Sequence, residues 1–416
     1  MANISPNLDR RVVVTGLGVV SSLGIGWQEF WKNLLAGKSG ISKIESFDTS
    51  EYDRHYGGEV KNFDPSKFIS KHKIFQIGRA SQMAVAASKL AIEDAGLTLS
   101  NVTCDRFGVF IGTTTGEIAL LEKYYEEERN RSSGRHPIAD FLVFPSNSLS
   151  INIAKDLNLK SDNVVFANAC AAGNYAMGRA FDLIKSGQID YALAGGVDGL
   201  SQVVFTGFTR LLAIATEKCQ PFDKNRKGMI PGEGAGILVL ESFESAQKRK
   251  ARIYAEILGC GLSCDAFHMT SPSADGITKA LNKALEISCV PAKDVDYISA
   301  HGTGTVENDE EECLAFKNIF KDKLKRIPIS SIKSMLGHTM GAASAIEAIA
   351  CCLIIKDQVI PPTINFETKD PDCDIDCVPN QSRKSKVNIV LNNSQAFGGN
   401  NAVLVLARQG LYNARK

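Results

Sequence analysis

The stretch 163–185, NVVFANACAAGNYAMGRAFDLIK, decides how the rest of the chain is read. Its opening run Val164-Val165-Phe166 predicts a buried strand, and Ala176, Ala180, Leu183 and Ile184 follow at helical spacing. Between them lie only small residues, Asn168-Ala169-Cys170-Ala171-Ala172-Gly173. A strand that turns at once into a helix leaves its junction residue exposed at the helix N-terminus. Unpaired N–H groups and the positive end of the dipole favour an anion there. A cysteine at such a junction is expected to have a lowered pKa, as a nucleophilic sulfur needs. Ala and Gly on both sides leave room for a substrate. Free cysteines mostly fill core space, and the other cysteines among the 11 are read that way. Cys170 differs by its junction and its collar.

At 416 residues the chain is too long for one small core, so two domains or two fused halves are expected. Hydrophobic content of 44% and charged content of 22% are ordinary for a globular protein. A formal net charge of +1 gives no pull toward nucleic acid or membrane. The cysteine count is odd and contains no C-x-x-C pair, which implies reduced thiols and a cytoplasmic setting. Cys373 and Cys377 lie among Asp372, Asp374 and Asp376, yet no histidine is near, and a metal clip is disfavoured. The N-terminal MANISPNLDRR lacks an apolar stretch long enough for a signal peptide, and no run of about 18 apolar residues occurs, so a soluble protein is expected.

Working outward, residues 11–14 predict a strand followed by Thr15-Gly16-Leu17-Gly18. The third glycine of a dinucleotide motif is missing, and the favoured reading is close backbone packing beside a strand. Helices are expected over Trp27–Leu35 and 78–95, a strand over 106–112 ending in Thr113-Thr114-Thr115-Gly116, and a charged helix end over 124–135. Strands over 191–196 and 237–240 flank a Gly-rich loop, and a charged helix follows over 244–252. From residue 252 the pattern begins again: strand 252–257, helix 278–288, strand 296–301 ending in Gly302-Thr303-Gly304-Thr305, strand 327–330, Ala-rich helix 341–355. A hairpin of 388–392 with 402–407 around Phe397-Gly398-Gly399-Asn400 closes the chain. The recurrence predicts two similar α/β halves, 1–251 and 252–416. In such a design the loops at corresponding strand ends meet where the halves join.

Cys170, His301 and His338 all sit on such ends. Among six histidines, His301 ends a strand before Gly-Thr-Gly-Thr, and His338 lies in KSMLGHTMGAA ahead of a small-residue helix start. A Cys-His-Asn hydrolase would use one histidine as base with an amide to orient it. A metal site would put thiolate and imidazole on one ion. Two histidines and a cysteine, with no carboxylate evidently placed to orient either ring, fit acyl transfer with a separately stabilised anion. Both rings, donating from Nε2, would hold the oxygen of a thioester enolate.

The motifs NACAAG, HGTGT, KSMLGHTMGAA and FGGNN, in this order, resemble those of the β-ketoacyl-acyl carrier protein synthases, the type II elongating enzymes most of all, over essentially the whole chain. The resemblance implies the thiolase fold, a duplicated α/β half making a five-layered αβαβα core. It implies that Cys170 takes an acyl chain from a carrier's phosphopantetheine, with the N–H groups of Cys170 and Phe397 as oxyanion hole. His301 and His338 would bind the malonyl thioester carbonyl and stabilise the carbanion left by carbon dioxide. Lys333 matches the family lysine and would order the site through Asp309 and Glu347. Thr303, Thr305, Thr270 and Ser271 match residues of the pantetheine channel, and Phe397, with Gly398 and Gly399, matches the gate. No metal, nucleotide or organic cofactor is implied. The implied partner is an acidic acyl carrier protein, for which Lys67, Lys71, Lys73, Arg129 and Arg131 are candidate docking charges.

Four positions depart from the family pattern. Gln395 and Ala396 replace an aromatic and a glycine before Phe397, Thr115 stands where a bulky aliphatic residue often walls the acyl pocket, and Ala172 replaces Thr or Ser. Ala396 is expected to restrict the gating loop. The smaller, more polar wall points to an unusual acyl chain, unsaturated or polyene, with primary fatty acid elongation as the competitor. The family implies a homodimer, or a heterodimer in which this chain is the active half beside a cysteine-lacking chain-length partner. A thiolase acting on coenzyme A esters is the other enzymatic alternative, disfavoured by two histidines in place of a second cysteine near the C-terminus.

Overall fold

Val12–Ser21 is buried at every position and forms β1, the strand on which the two halves of the molecule meet. The computed structural model describes residues 10–130 and 144–411. The first half adds β2 (Phe107–Gly112), β3 (Asn163–Phe166), β4 (Tyr191–Asp198) and β5 (Gly234–Ser242). The second half supplies β6 (Ala255–Cys264), β7 (Tyr297–Ser299), β8 (Ile329–Ser330), β9 (Ile389–Gln395) and β10 (Asn400–Ala407). They pair along one path, β8-β7-β9-β10-β6-β1-β5-β4-β2-β3. Each half therefore runs third, second, fourth, fifth, first in its own chain order. The third and second strands are parallel, as are the second and fourth, and the remaining pairs are antiparallel in both halves. Val12–Val14 joins the halves by antiparallel pairing with Ala255–Ile257.

Five helices complete the layers: α1 (Arg79–Asp94), α2 (Ala172–Lys185), α3 (Ala274–Ile287), α4 (Val306–Phe320) and α5 (Ala343–Asp357). Helices α2 and α5 touch each other and strands of both halves, so they form the middle layer. Their core joins Met177, Ile184, Ile349 and Leu353 to Leu238, Leu240, Val390 and Leu404. Helix α1 covers the outer face of β1, β4 and β5 through Met83, Ala87 and Ala91. Helices α3 and α4 cover the second half through Leu281, Ala284 and Phe316. The result is helix, sheet, helix, sheet, helix, as the thiolase fold requires. Helix α5 has no polar face, only Ser344 and Glu347 interrupting its buried apolar length, the signature of a fully enclosed helix, and it is buried from Ala343 to Ile355.

The glycines after the first strand serve packing. A Cβ on Gly16 would overlap the carbonyl of Ala91, and one on Gly18 that of Ala87, so their absence lets α1 lie against β1. Helix α3 begins at Ala274, a turn earlier than periodicity alone indicated. The strand expected over 296–301 ends at Ser299, so Ala300 and His301 already leave the sheet. The charged helix runs Ile118–Asn130, and its expected continuation to residue 135, Arg131 included, lies outside the described residues. No helix among the described residues is long and apolar enough to cross a membrane.

Candidate active site

Cys170 occupies the middle of a single 3-10 turn, Ala169–Ala171, that leads into α2. The second half repeats the device: the turn Met340–Ala342 leads into α5. Ala169 and Met340, at matching places, both adopt positive φ, 47° and 52°. Non-glycine residues enter this region at a steric cost, so the same sharp corner is built twice. The two turns abut, and Gly173 and Ser344, on the first turns of α2 and α5, pack so closely that Ser344 Oγ accepts the N–H of Asn174 at 3.0 Å.

This packing overturns one expectation. Cys170 is 7% exposed rather than open to solvent. Burial pushes its thiol up to about 12, and the nearby charge of Lys333 pulls back less than burial adds. The helix N-terminus alone does not lower the resting pKa, because desolvation of a thiolate outweighs it.

His338 supplies what the dipole does not. Its Nε2 lies 3.1 Å from Cys170 Sγ, and its Nδ1 accepts the N–H of Met340 at 3.3 Å. With Nδ1 an acceptor, the neutral ring carries its hydrogen on Nε2 and presents it to the sulfur. His301 crosses His338 edge-on, with ring centroids 5.3 Å apart. Reactive atoms of all three residues fall within 4.8 Å of one another. Burial, followed by the field of Lys333, drives both imidazoles well below their usual range, so both rings are neutral at pH 7. Neutral Nε2–H donors suit an oxyanion. As a set of donor atoms the trio is also close enough to share one ion.

Lys333 is buried and paired with Glu347 of α5, whose carboxyl burial lifts to about 7. Asp309 does not join this pair. Its oxygens accept the N–H groups of Phe222 at 2.8 Å and Gly304 at 3.2 Å, and its nearest cation is Arg226 at 3.9 Å. It secures the loop after His301 instead. One turn further along α4, Glu312 accepts the N–H of His301 at 2.7 Å, that of Gly302 at 2.8 Å and the amide of Asn393 at 2.7 Å. Sequence reading missed Glu312, because Asp309-Glu310-Glu311-Glu312 looks like a solvated acidic run. The available signal was the i, i+3 spacing of two acids on the face that carries Cys313 and Phe316.

Asp198, also missed, ends β4 and is fully buried. It accepts from Thr113 Oγ1 at 2.7 Å, from the N–H groups of Thr114 and Thr115 at 2.7 and 3.0 Å, and from that of Gly341 at 2.6 Å. It thereby ties the end of β2 to the turn that follows His338. Thr115 gives its hydroxyl to the same carboxylate at 3.1 Å and does not line the cavity over Cys170, so it is no wall of that cavity.

That cavity, about 390 Å³, reaches Cys170, His301 and His338 from the surface. Thr270, Ser271, Thr303, Thr305, Phe397 and Gly399 line it as expected, whereas Gly398 does not; its N–H is held by the carbonyl of Met269 at 2.8 Å. Phe397 is 38% exposed and packs on Phe208, ring centroids 5.6 Å apart. Ala396 is extended, φ −142° and ψ 151°. Any residue adopts that conformation, so alanine carries no backbone strain in this resting pose. Cys373 and Cys377 are buried in the outer core of the second half, away from the cavity lining. Of the docking candidates, Lys67, Lys71 and Arg129 are exposed, while Lys73 pairs with Asp156 at 3.2 Å.

The N-terminal domain model of the beta-ketoacyl synthases matches residues 9–246, and their C-terminal domain model residues 254–367. A 3-oxoacyl-[acyl-carrier-protein] synthase 2 of Staphylococcus aureus (strain N315) is 38% identical over 409 residues, 96% of this chain and 99% of that protein. The protein of the same description from Synechocystis sp. is 38% identical over 98% of this chain and 100% of its own length. Among solved structures, the ishigamide ketosynthase/chain length factor superposes with TM-score 0.94 at 45% identity, covering 97% of this chain and 100% of that one. AntDE:AntF, a type II acyl-carrier protein in complex with its ketosynthase, superposes with TM-score 0.88 at 36% identity, covering 96% and 99%.

Proposed function

The chain belongs to the beta-ketoacyl synthase family, and from that premise we propose how its own residues carry out the carrier-linked condensation of fatty acid or polyketide elongation. Cys170 Sγ attacks the thioester of an acyl carrier and keeps the acyl group, and the carrier's thiol leaves. The N–H groups of Cys170 and Phe397 receive the oxyanion. A malonyl carrier then enters, and the Nε2–H groups of His301 and His338 hold its thioester oxygen. The bond to the carboxyl carbon breaks, and its electron pair moves into the thioester enolate as carbon dioxide departs. The enolate carbon bonds to the acyl carbon on Cys170, and the sulfur leaves as thiolate. Lys333 and Glu347 fix the field behind the trio, and Thr270, Thr303 and Thr305 line the path of the arm. Every step uses side chains and carrier-borne phosphopantetheine, with no further cofactor.

The observation that carries this reading is the meeting of Cys170, His301 and His338 within 4.8 Å at the inner end of one cavity. Mass spectrometry of the protein incubated with acyl carriers, combined with carbon dioxide release from malonyl carrier, tests it. An acyl adduct on Cys170 and decarboxylation are expected. An adduct elsewhere, or acyl transfer only to coenzyme A without carbon dioxide release, overturns it.

A finer reading rests on the 45% identity to the ishigamide ketosynthase/chain length factor. We propose that this chain is the cysteine-bearing half of a heterodimer in a specialised pathway making unsaturated or polyene chains, served by an acidic carrier that meets Lys67, Lys71 and Arg129. Strand β3 supports a second subunit, since among the described residues it ends the sheet with one edge unpaired and Val164 exposed. Turnover of polyenoyl carriers only after a related, cysteine-lacking subunit is added is the expected outcome. Full activity of the chain alone on saturated medium chains excludes it and favours a homodimer in primary fatty acid synthesis.

A further inference from the structure

Gln395 is the last residue of β9 and lines the cavity together with Cys170, His301 and His338. It is 2% exposed. Neither its Nε2 nor its Oε1 has a hydrogen-bond partner among the described residues. A buried carboxamide with both ends unsatisfied is costly to keep, and an aromatic or aliphatic residue would fill the place without that cost. The wall of the cavity that reaches the reacting sulfur thus holds a polar group in waiting.

We propose that the Gln395 amide receives the carboxylate of the malonyl extender and so selects and orients that substrate; this rests on the condensing reading above. The extender is the one reactant that brings an anion to the inner end of the cavity. Among the described residues no Lys or Arg of the lining is buried there, since Lys227 is exposed and Lys333 is outside the lining, paired with Glu347. A neutral N–H donor is the better partner for this anion. A buried ammonium would stabilise the carboxylate most in the ground state and oppose its loss as neutral carbon dioxide, whereas an amide fixes direction with little of that penalty. With the thioester oxygen on the two imidazoles, an N–H from Gln395 holds the carboxylate out of the thioester plane. The breaking carbon–carbon bond then overlaps the carbonyl π system into which its electrons pass.

Gln395→Met and Gln395→Glu test this against two separate readouts, carbon dioxide release from malonyl carrier and acyl loading of Cys170 by mass spectrometry. Gln395→Met, similar in length and apolar, is expected to raise the KM for malonyl carrier about tenfold and leave loading within about twofold. Gln395→Glu sets a like charge against the extender and is expected to cost about 100-fold in kcat/KM for decarboxylation. Unchanged malonyl kinetics in either folded variant overturns the proposal. A loss confined to acyl loading also overturns it and assigns the amide to the acyl chain. Absence of carbon dioxide release by the unmutated protein strikes the condensing reading itself, and the two failures are therefore distinct.

Discussion

His338 Nε2 sits 3.1 Å from Cys170 Sγ, while no carboxylate contacts either imidazole among the described residues. The ring is oriented by a backbone N–H, that of Met340, so its tautomer is set by the same corner that opens α5. His301 is held differently: Glu312 grips its backbone, and its Nδ1 has no hydrogen-bond partner among the described residues. The two histidines therefore respond differently to removal. His301→Ala is expected to lose decarboxylation by about 10²–10³-fold, the usual cost of one oxyanion donor, with loading of Cys170 kept within a few-fold. His338→Ala is expected to impair both steps, because it also strips the sulfur of its N–H partner. Single-turnover loading and carbon dioxide release measure the two separately; equal loading defects in both variants would contradict the division.

The pH response of Cys170 follows from its burial. A thiol pushed up to about 12 has a thiolate fraction that rises roughly tenfold per pH unit through pH 7–10, with no plateau. Iodoacetamide alkylation followed by mass spectrometry should climb over that range. Lys333 pulls the thiol downward, so Lys333→Met raises the pKa further and slows alkylation at every pH below it. A plateau near pH 7 would show a thiolate stabilised far beyond what the burial allows.

Much of this site was legible from residue type and position. Cys170 and His301 lie a few residues past the ends of their strands, beside small residues as expected, whereas His338 follows the short helix Lys333–Leu336 rather than a strand end; the repeat from residue 252 still places the three together. The strand order, the same in both halves, bears out the duplication. What stayed hidden depended on facing. Asp309 and Glu312 lie on the buried side of α4, but a string of four acids reads as solvated. The resemblance implied both Asp309 and Glu347 as partners of Lys333, and only packing assigns Glu347 alone. The thiol's raised pKa was equally hidden, since a helix N-terminus is visible in a sequence and the depth of burial is not.

Glu312 makes a stability prediction of its own. It accepts from two successive backbone N–H groups and from Asn393, all buried. Glu312→Ala leaves these donors without an acceptor, at about 1–3 kcal/mol each before relaxation. A loss of at least ~3 kcal/mol in urea unfolding is expected, with Glu312→Gln intermediate because its amide oxygen still accepts. Equal stability of Glu312→Ala and the unmutated protein would show that water replaces the carboxylate.

Gly112 ends β2 against the first residues of α2, and a Cβ there would overlap the backbone of Ala172. Its φ is not in the positive range, so the constraint is one of space. Gly112→Ala is expected to destabilise by about 1–3 kcal/mol through overpacking and to displace the turn carrying Cys170, slowing acyl loading more than malonyl decarboxylation. Thermal unfolding and the two half-reactions measure this.

Ala396→Gly supplies the opposite control at the gate. If alanine restricted the loop, glycine would loosen it and speed turnover. Ala396 is extended at φ −142°, while the positive φ values fall on Gly398 and Gly399, at 80° and 77°. Glycine at 396 therefore relieves no strain and adds only freedom to the unfolded chain, at a cost of about 0.4–1 kcal/mol. A slightly lowered unfolding temperature with unchanged acyl loading is expected. Gly398→Ala, in contrast, places a side chain where backbone sterics oppose it and should disturb the pose of Phe397, lowering acyl loading by far more than any change at 396. Faster turnover in Ala396→Gly would mean that the gate moves through a conformation other than the one in which Phe397 packs on Phe208.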